Sequence, residues 1–312
     1  MGFRWTAARP ARHAQAVFAA LILMHGLFSA PALAGAKSVR AVAVETADAS
    51  SFGKRAGGKR YKLSIPVPPR ARALPLPRVE GDETRPLVVI DAGHGGVDPG
   101  AINPETGLRE KDVTLRVAKA IRDALLQSGR VRVALTREND RYILHRERFG
   151  VARRLRADLF ISIHCDSVGA GEATGATAYT LSEVASDKEA ARLAVRENRA
   201  DVISGVDLDE AADVSSILID LAQRETMNAS AAFARLLGRE ARPLIPTKPN
   251  FHRMASLLVL KAPDMPSILF ETGYLSNAQD AAFLDSAEGR EKIAESVKRA
   301  VEVHFARRLA TR

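Results

Sequence analysis

The chain has 312 residues, with 46 Lys and Arg against 37 Asp and Glu, a formal net charge of +9 and one cysteine, Cys165. The charge is uneven: residues 1–34 hold 3 basic and no acidic residues, residues 35–86 hold 11 and 5, and residues 87–312 hold 32 and 32. A main body without net charge argues against a nucleic-acid partner, which would require many phosphates to be neutralised, and a lone cysteine excludes an intramolecular disulfide.

Arg4, Arg9 and Arg12 precede the apolar stretch Ala16 to Met24 and the small-residue pattern Ala32-Leu33-Ala34, so residues 1–34 are expected to be a secretion signal. No paired arginines occur in it, which favours the general export route. Its apolar run is broken by His25, Gly26 and Pro31 and is short for a bilayer span, so a periplasmic protein with no transmembrane anchor after cleavage is expected. Residues 35–86 carry Gly57-Gly58, five prolines between Pro66 and Pro77 and clustered Lys and Arg, the composition of a disordered, basic linker.

From Leu87 onward strand-like and helix-like stretches alternate, which predicts an α/β domain over 87–312. Strands are expected at Leu87 to Asp91, Val131 to Thr136, Asp158 to His164, Ala176 to Leu181, Ser256 to Leu260 and Ser267 to Glu271. Helices are expected at Lys111 to Gln127, Leu144 to Arg156, Asp187 to Ile203, Val214 to Gln223, Asn228 to Glu240 and Gly289 to Leu309. Uninterrupted apolar strands such as Leu159-Phe160-Ile161 suit a mostly parallel sheet covered by helices on both faces, where ligands gather beyond the strand ends.

Polar residues of one chemical kind fall at those ends. DAGHGG (Asp91 to Gly96) places His94 in a glycine-rich turn after the first strand, and GLREKD (Gly107 to Asp112) places Glu110 at a helix start. SIHCDS (Ser162 to Ser167) and ETGYLSN (Glu271 to Asn277) close two further strands with His164 and Glu271. Two histidines and a carboxylate are the donor set of many catalytic zinc sites, so His94, Glu110 and His164 are assigned as ligands of one zinc ion per chain. Glu271 is the candidate general base. Asp91 and Asp166 are candidates to orient a ligand imidazole. Cys165 alternates with His164 along a strand and is expected on the opposite face, as a small buried residue.

These motifs, with the last extended to PSILFETGYLSN, resemble in order and spacing the zinc-dependent N-acetylmuramoyl-L-alanine amidases of the amidase-3 type over about residues 87–309. The resemblance implies a single six-stranded α/β domain, zinc held by His94, Glu110 and His164, and catalysis by Glu271. It also implies hydrolysis of the amide between the lactyl group of N-acetylmuramic acid and L-alanine in peptidoglycan, a substrate outside the cytoplasm. Division-associated members often carry a β-rich targeting domain for which the first 86 residues leave no room. A monomer is expected.

The 182–227 stretch is longer than a connection usually requires. Its first half, Asp187 to Ile203, has a helical pattern in which Glu197, Asn198 and Asp201 could face the metal, and its second half sets Val214, Ile217, Leu218 and Leu221 on one apolar stripe. The insert resembles that of autoinhibited cell-division amidases, in which one helix blocks the metal and another docks a degenerate metallopeptidase-like (LytM-type) activator. By that resemblance Glu197, or alternatively Glu189, fills the open metal position and the stripe receives the activator. A zinc exopeptidase or carboxypeptidase acting on wall peptides would use the same donors. A non-catalytic wall-binding module would not need all four of His94, Glu110, His164 and Glu271.

Overall fold

Alternate residues of the apolar strands serve two different cores. In a computed structural model, which describes residues 74–168, 173–203 and 217–310, Val88 and Ile90 pack in one buried cluster with Ile161 and Ile268. Leu87 and Val89 pack in another with Phe160 and Leu269. Successive side chains of a strand point to opposite faces, so the sheet is buried on both sides. Each such side chain contributes about 1.5–3 kcal/mol through burial.

The sheet comprises β1 (Leu87–Ala92), β2 (Arg132–Leu135), β3 (Leu159–His164), β4 (Ala176–Leu181), β5 (Thr247–Ala255) and β6 (Ser267–Glu271), in the order β2-β1-β3-β6-β4-β5. β1, β2, β3 and β6 run parallel, while β4 is antiparallel to β6 and parallel to β5. Parallel neighbours need long crossovers. The helices are α1 (Glu110–Ser128), α2 (His145–Arg154), α3 (Lys188–Asn198), α4 (Ala200–Ile203), α5 (Ile217–Ala241), α6 (Ala278–Asp285) and α7 (Ala287–Ala310). The register pairs Ala92 with Ile163 and His164 with Glu271, so the carboxyl ends of β1, β3 and β6 lie side by side.

Several expectations are corrected. The strand expected at Ser256 to Leu260 is instead β5, ending at Ala255, followed by one 3-10 turn at Leu258–Leu260. Leu257, Val259 and Leu260 are apolar because they fill the second core from a loop, whereas β5 is an edge strand whose Lys248-Pro249-Asn250 hides the pattern. The helices expected at Val214 to Gln223 and Asn228 to Glu240 are one helix, α5, within the described residues. The short α6 was not anticipated; it begins where the Asn277 side chain accepts hydrogen bonds from Gln279 N and Asp280 N.

Residues 74–86, assigned to the linker by composition, include one tied to the sheet edge. Glu80 exchanges two backbone hydrogen bonds of 2.8 Å with Val133. The secretion signal over 1–34, the linker up to residue 73 and Val214 lie outside the described residues, and for Ile217, Leu218 and Leu221 only the helical backbone is described. No helix among the described residues is long and apolar enough to cross a membrane.

Candidate metal centre

The first donor sits on a strained turn. His94 follows β1 with φ 59°, a left-handed conformation uncommon outside glycine. Two buried arginines pin the carbonyls around it. Arg148 donates to Ala92 O and His94 O, both at 2.8 Å, and to Asp91 Oδ1 at 2.9 Å. Arg137 donates to Ala92 O at 2.9 Å and Gly93 O at 2.8 Å. Burial, reinforced by the Arg148 charge, pulls the Arg137 guanidinium down to about 10, which still leaves it charged at neutral pH.

Two glycines let the segments close on one another. A Cβ on Gly93 would lie 2.6 Å from His164 Nε2. On Gly100, at φ +65°, it would lie 2.7 Å from both Glu110 Oε2 and His94 Cδ2.

His94, Glu110, His164 and Glu197 are all buried, and one donor atom from each lies within 4.8 Å of the others. His94 Nε2 is 3.1 Å from Glu110 Oε2 and 3.6 Å from Glu197 Oε2; His164 Nδ1 is 3.4 Å from Glu110 Oε1 and 3.0 Å from Glu197 Oε2. Glu110 is oriented by backbone donors, from Ala101 N to Oε2 and Cys165 N to Oε1, each at 2.8 Å. Asp98 Oδ2 lies 2.7 Å from His94 Nδ1 and thereby aims Nε2 at the cluster.

The residues fit a metal on their own chemistry. His94 Nε2, His164 Nδ1 and Glu197 Oε2 are buried without a hydrogen-bond partner, a rare condition in folded proteins. All three converge on the same point, and two imidazole nitrogens with carboxylate oxygens form a donor set suited to zinc. Without a cation the carboxylates attract protons to the rings. Burial alone would lower His94, but the Glu110 charge and the Asp98 contact outweigh it and push the ring up to about 10. Burial would raise Glu110, but the two histidines hold it well below the usual carboxylate range.

Glu271 is different. Fully buried, it is pushed well above the usual range by desolvation and then by the Asp166 carboxylate, with His164 opposing. Its Oε2 accepts a hydrogen bond of 3.0 Å from Asp166 N, and its Oε1 has no partner. Oxygens of Asp166, Glu197 and Glu271 lie within 4.8 Å of one another.

The structure therefore brings together His94, Glu110 and His164, with Glu271 on the adjoining strand and Glu197 closing the cluster. Glu189 lies elsewhere: Oε2 is 2.8 Å from Arg253 Nη1, and Oε1 pairs with Lys248 Nζ. Asn198 and Asp201 are fastenings. Asn198 Nδ2 donates to Ser256 O at 2.8 Å, and Asp201 Oδ1 is 2.7 Å from both His145 Nδ1 and Tyr142 Oη. Asp91 accepts from Thr136, Ser162 and Arg148, and Asp166 is paired with Arg196, so neither orients a ligand imidazole. Asp98 does so. It sits four residues after His94, a spacing that a loop does not reveal. Arg137 and Arg148 reach the same loop from 44 and 54 residues away, with no local sequence signal. Cys165 is buried, and burial pushes its thiol well above the ordinary value, so it is no nucleophile.

Comparison with known proteins bears on the family and the fold. The family model for N-acetylmuramoyl-L-alanine amidase (Amidase_3) matches residues 88–303. The chain is 34% identical over 245 residues to N-acetylmuramoyl-L-alanine amidase AmiC of Escherichia coli O6:H1, covering 78% of this chain and 58% of that protein. It is 35% identical over 233 residues to AmiA of Escherichia coli K12, covering 73% and 79%. Among solved structures, the amidase AmiC2 of Nostoc punctiforme superposes with a TM-score of 0.53 at 28% identity, over 71% of this chain and 97% of that one. The chain belongs to the N-acetylmuramoyl-L-alanine amidase family.

Proposed function

We propose that this amidase hydrolyses the bond between the lactyl group of N-acetylmuramic acid and L-alanine in peptidoglycan, with zinc held by His94, Glu110 and His164 and the proton carried by Glu271. The observation behind this reading is the convergence of unpartnered buried ring nitrogens beside a buried, high-pKa carboxyl on the next strand. Zinc, when bound, supplies Lewis acidity towards water and towards the scissile carbonyl. The chain's own residues supply the rest. The Asp166 N–H fixes Oε2 of Glu271, leaving Oε1 to take the proton of the attacking water and pass it to the departing amine. Burial tunes that oxygen upward, towards the range in which a general base both accepts and returns a proton.

We further infer that the resting enzyme is closed by its own α3. Glu197 Oε2 occupies the fourth position of the donor cluster, and the flanking Arg196 is paired with Asp166 across it. Opening then requires a partner with higher affinity for the displaced helix, and the Val214, Ile217, Leu218 and Leu221 stripe is assigned to dock a LytM-type activator. Export to the periplasm by residues 1–34 would place the enzyme with its substrate.

A digest of purified sacculi, with and without a chelator, tests bond and metal together. Stem peptides with a free N-terminal L-alanine are expected, and chelation should abolish their release. Loss of carboxyl-terminal amino acids instead would make the protein an exopeptidase. Glu197→Ala is expected to raise release without any activator; a folded, zinc-loaded variant no faster than wild type would refute autoinhibition by this residue.

A further inference from the structure

We propose that Asp166 is a substrate-binding carboxylate. It receives the N–H of the scissile amide and then the ammonium of the departing L-alanine, and in the resting enzyme Arg196 stands in for that nitrogen. This rests on the reading that the lactyl amide of peptidoglycan is the bond cleaved. Asp166 belongs to the reaction centre: a cavity of about 250 Å³ is lined by His94, Glu110 and Glu197 of the donor cluster together with Asp166 and Arg196.

Two separations put this carboxylate within reach of the bond. Oxygens of Asp166, Glu197 and Glu271 lie within 4.8 Å of one another. A trans amide of standard bond lengths, hydrogen-bonded at about 2.9 Å, sets the acceptor of its N–H about 5 Å from its own carbonyl oxygen. With the carbonyl oxygen in the place that Glu197 vacates, the N–H meets Asp166. The same nitrogen must take a proton from Glu271, whose Oε2 is held at 3.0 Å by the Asp166 N–H.

The resting chain already sets a cation there. Arg196 Nε donates to Asp166 Oδ2 at 3.0 Å and its Nη2 donates to the same oxygen, a charge-assisted pair. The Asp166 side chain is only 6% exposed, and among the described residues its one further donor is the N–H of Ser167, at 2.6 Å. Arg196 and Glu197 are consecutive on α3, so a displacement that uncovers the metal position also removes the cation. A buried carboxylate left unpaired beside Glu271 is costly until a new donor arrives. The substrate brings one. Water adds to the lactyl carbonyl, the C–N bond breaks, and the nitrogen gains two protons, one carried by Glu271 and one from the new lactyl carboxylic acid. The products are a carboxylate and an ammonium. A free α-amino group titrates at about 7.7–8.0, so the departing L-alanine is cationic at neutral pH, as is the guanidinium it replaces.

The zinc-loaded full chain carrying Arg196→Ala and Glu197→Ala should be assayed on a muramoyl peptide and on its ester counterpart, in which L-lactate replaces L-alanine and an oxygen replaces the N–H. Adding Asp166→Ala is expected to lower kcat/KM about 10- to 100-fold on the amide, the scale of a hydrogen bond to a charged group, and less than about threefold on the ester. Asp166→Asn, which keeps an accepting oxygen, should recover part of the amide rate. Calorimetry gives a second readout: the doubly substituted chain should bind L-Ala-D-Glu about 10- to 100-fold more tightly than propionyl-D-Glu, which lacks the ammonium. Wild type, with Arg196 in place, should show no such preference, and Asp166→Ala should abolish it. Equal losses on amide and ester, an amide rate unchanged by Asp166→Ala, or equal affinity of the doubly substituted chain for the two ligands would overturn the assignment. That last comparison stands even if the alanine variant fails to fold. Amide hydrolysis indifferent to Asp166 would sink this role alone, whereas failure to cleave the amide at all would sink the reaction with it.

Discussion

His94 can serve as a ligand only because its neighbours impose a backbone it would not otherwise adopt. Its left-handed φ is over-determined by Arg148 and Arg137, and its ring is turned by Asp98. Removing Asp98 frees the imidazole to rotate and to bind through the wrong nitrogen. Asp98→Ala is expected to weaken zinc binding about 10- to 100-fold in a competition assay with a chromophoric chelator. Affinity equal to wild type would mean that Asp98 does not position the ring. Arg148→Met should act on the fold instead, because it leaves Asp91 uncompensated at full burial. A loss of about 3–5 kcal/mol in urea unfolding is expected, and a loss under 1 kcal/mol would count against the clamp. The donors themselves were legible in sequence because each occupies a short motif at an element end. Their supports were not, since Asp98 acts through a turn and the arginines act across the fold.

Elements were legible where burial dictates composition. β4 and β6 match their expected limits and are buried along almost their whole length, whereas β5, at the edge, shows mixed exposure and lies outside its expected limits. The helical layer offers a test of packing through pH. His304 of α7 sits edge-on to Phe233 of α5, with ring centroids 5.3 Å apart, and its Nε2 is buried without a partner. Burial, with the nearby Arg308 charge, pulls it from 6.5 down to about 4. An unfolded chain therefore binds a proton there as pH falls below about 6.5, while the folded chain resists until about 4. The stability from this neutral ring is fully present above pH 6.5 and is lost as pH falls towards 4. His304→Leu should lose less Tm than wild type over that window and show no differential slope above it. Parallel Tm curves for the two proteins would refute the burial argument.

At the scale of the whole molecule, strand order explains how one short helix reaches the site. β1, β3 and β6 present their carboxyl ends together, and reversed β4 starts beside Glu271, where Thr177 pairs with it, then runs away from those ends. The chain returns through α3, whose first turn is moored to β5 by Glu189 and Arg253 and whose last turn brings Arg196 and Glu197 to the cluster. The reversal was not legible, because strand direction leaves no mark on a run of six residues. A site gathered from the ends of β1 and β3 and from α1 and α3 exists only in the folded chain, so on the proposed assignment zinc would bind the native state in preference to the unfolded one. Its stabilisation follows mass action and reaches about 2.7 kcal/mol at free zinc one hundred times the dissociation constant. For a folded body of this size that corresponds to a Tm rise of roughly 5–10 °C. Differential scanning fluorimetry across buffered free zinc should show this rise in wild type and a much smaller one in His164→Ala. Glu197→Ala should keep most of it, because the three proposed ligands His94, Glu110 and His164 all remain. A Tm independent of zinc in wild type would overturn the metal assignment. A rise abolished by Glu197→Ala would make that residue an essential ligand and not a removable cover.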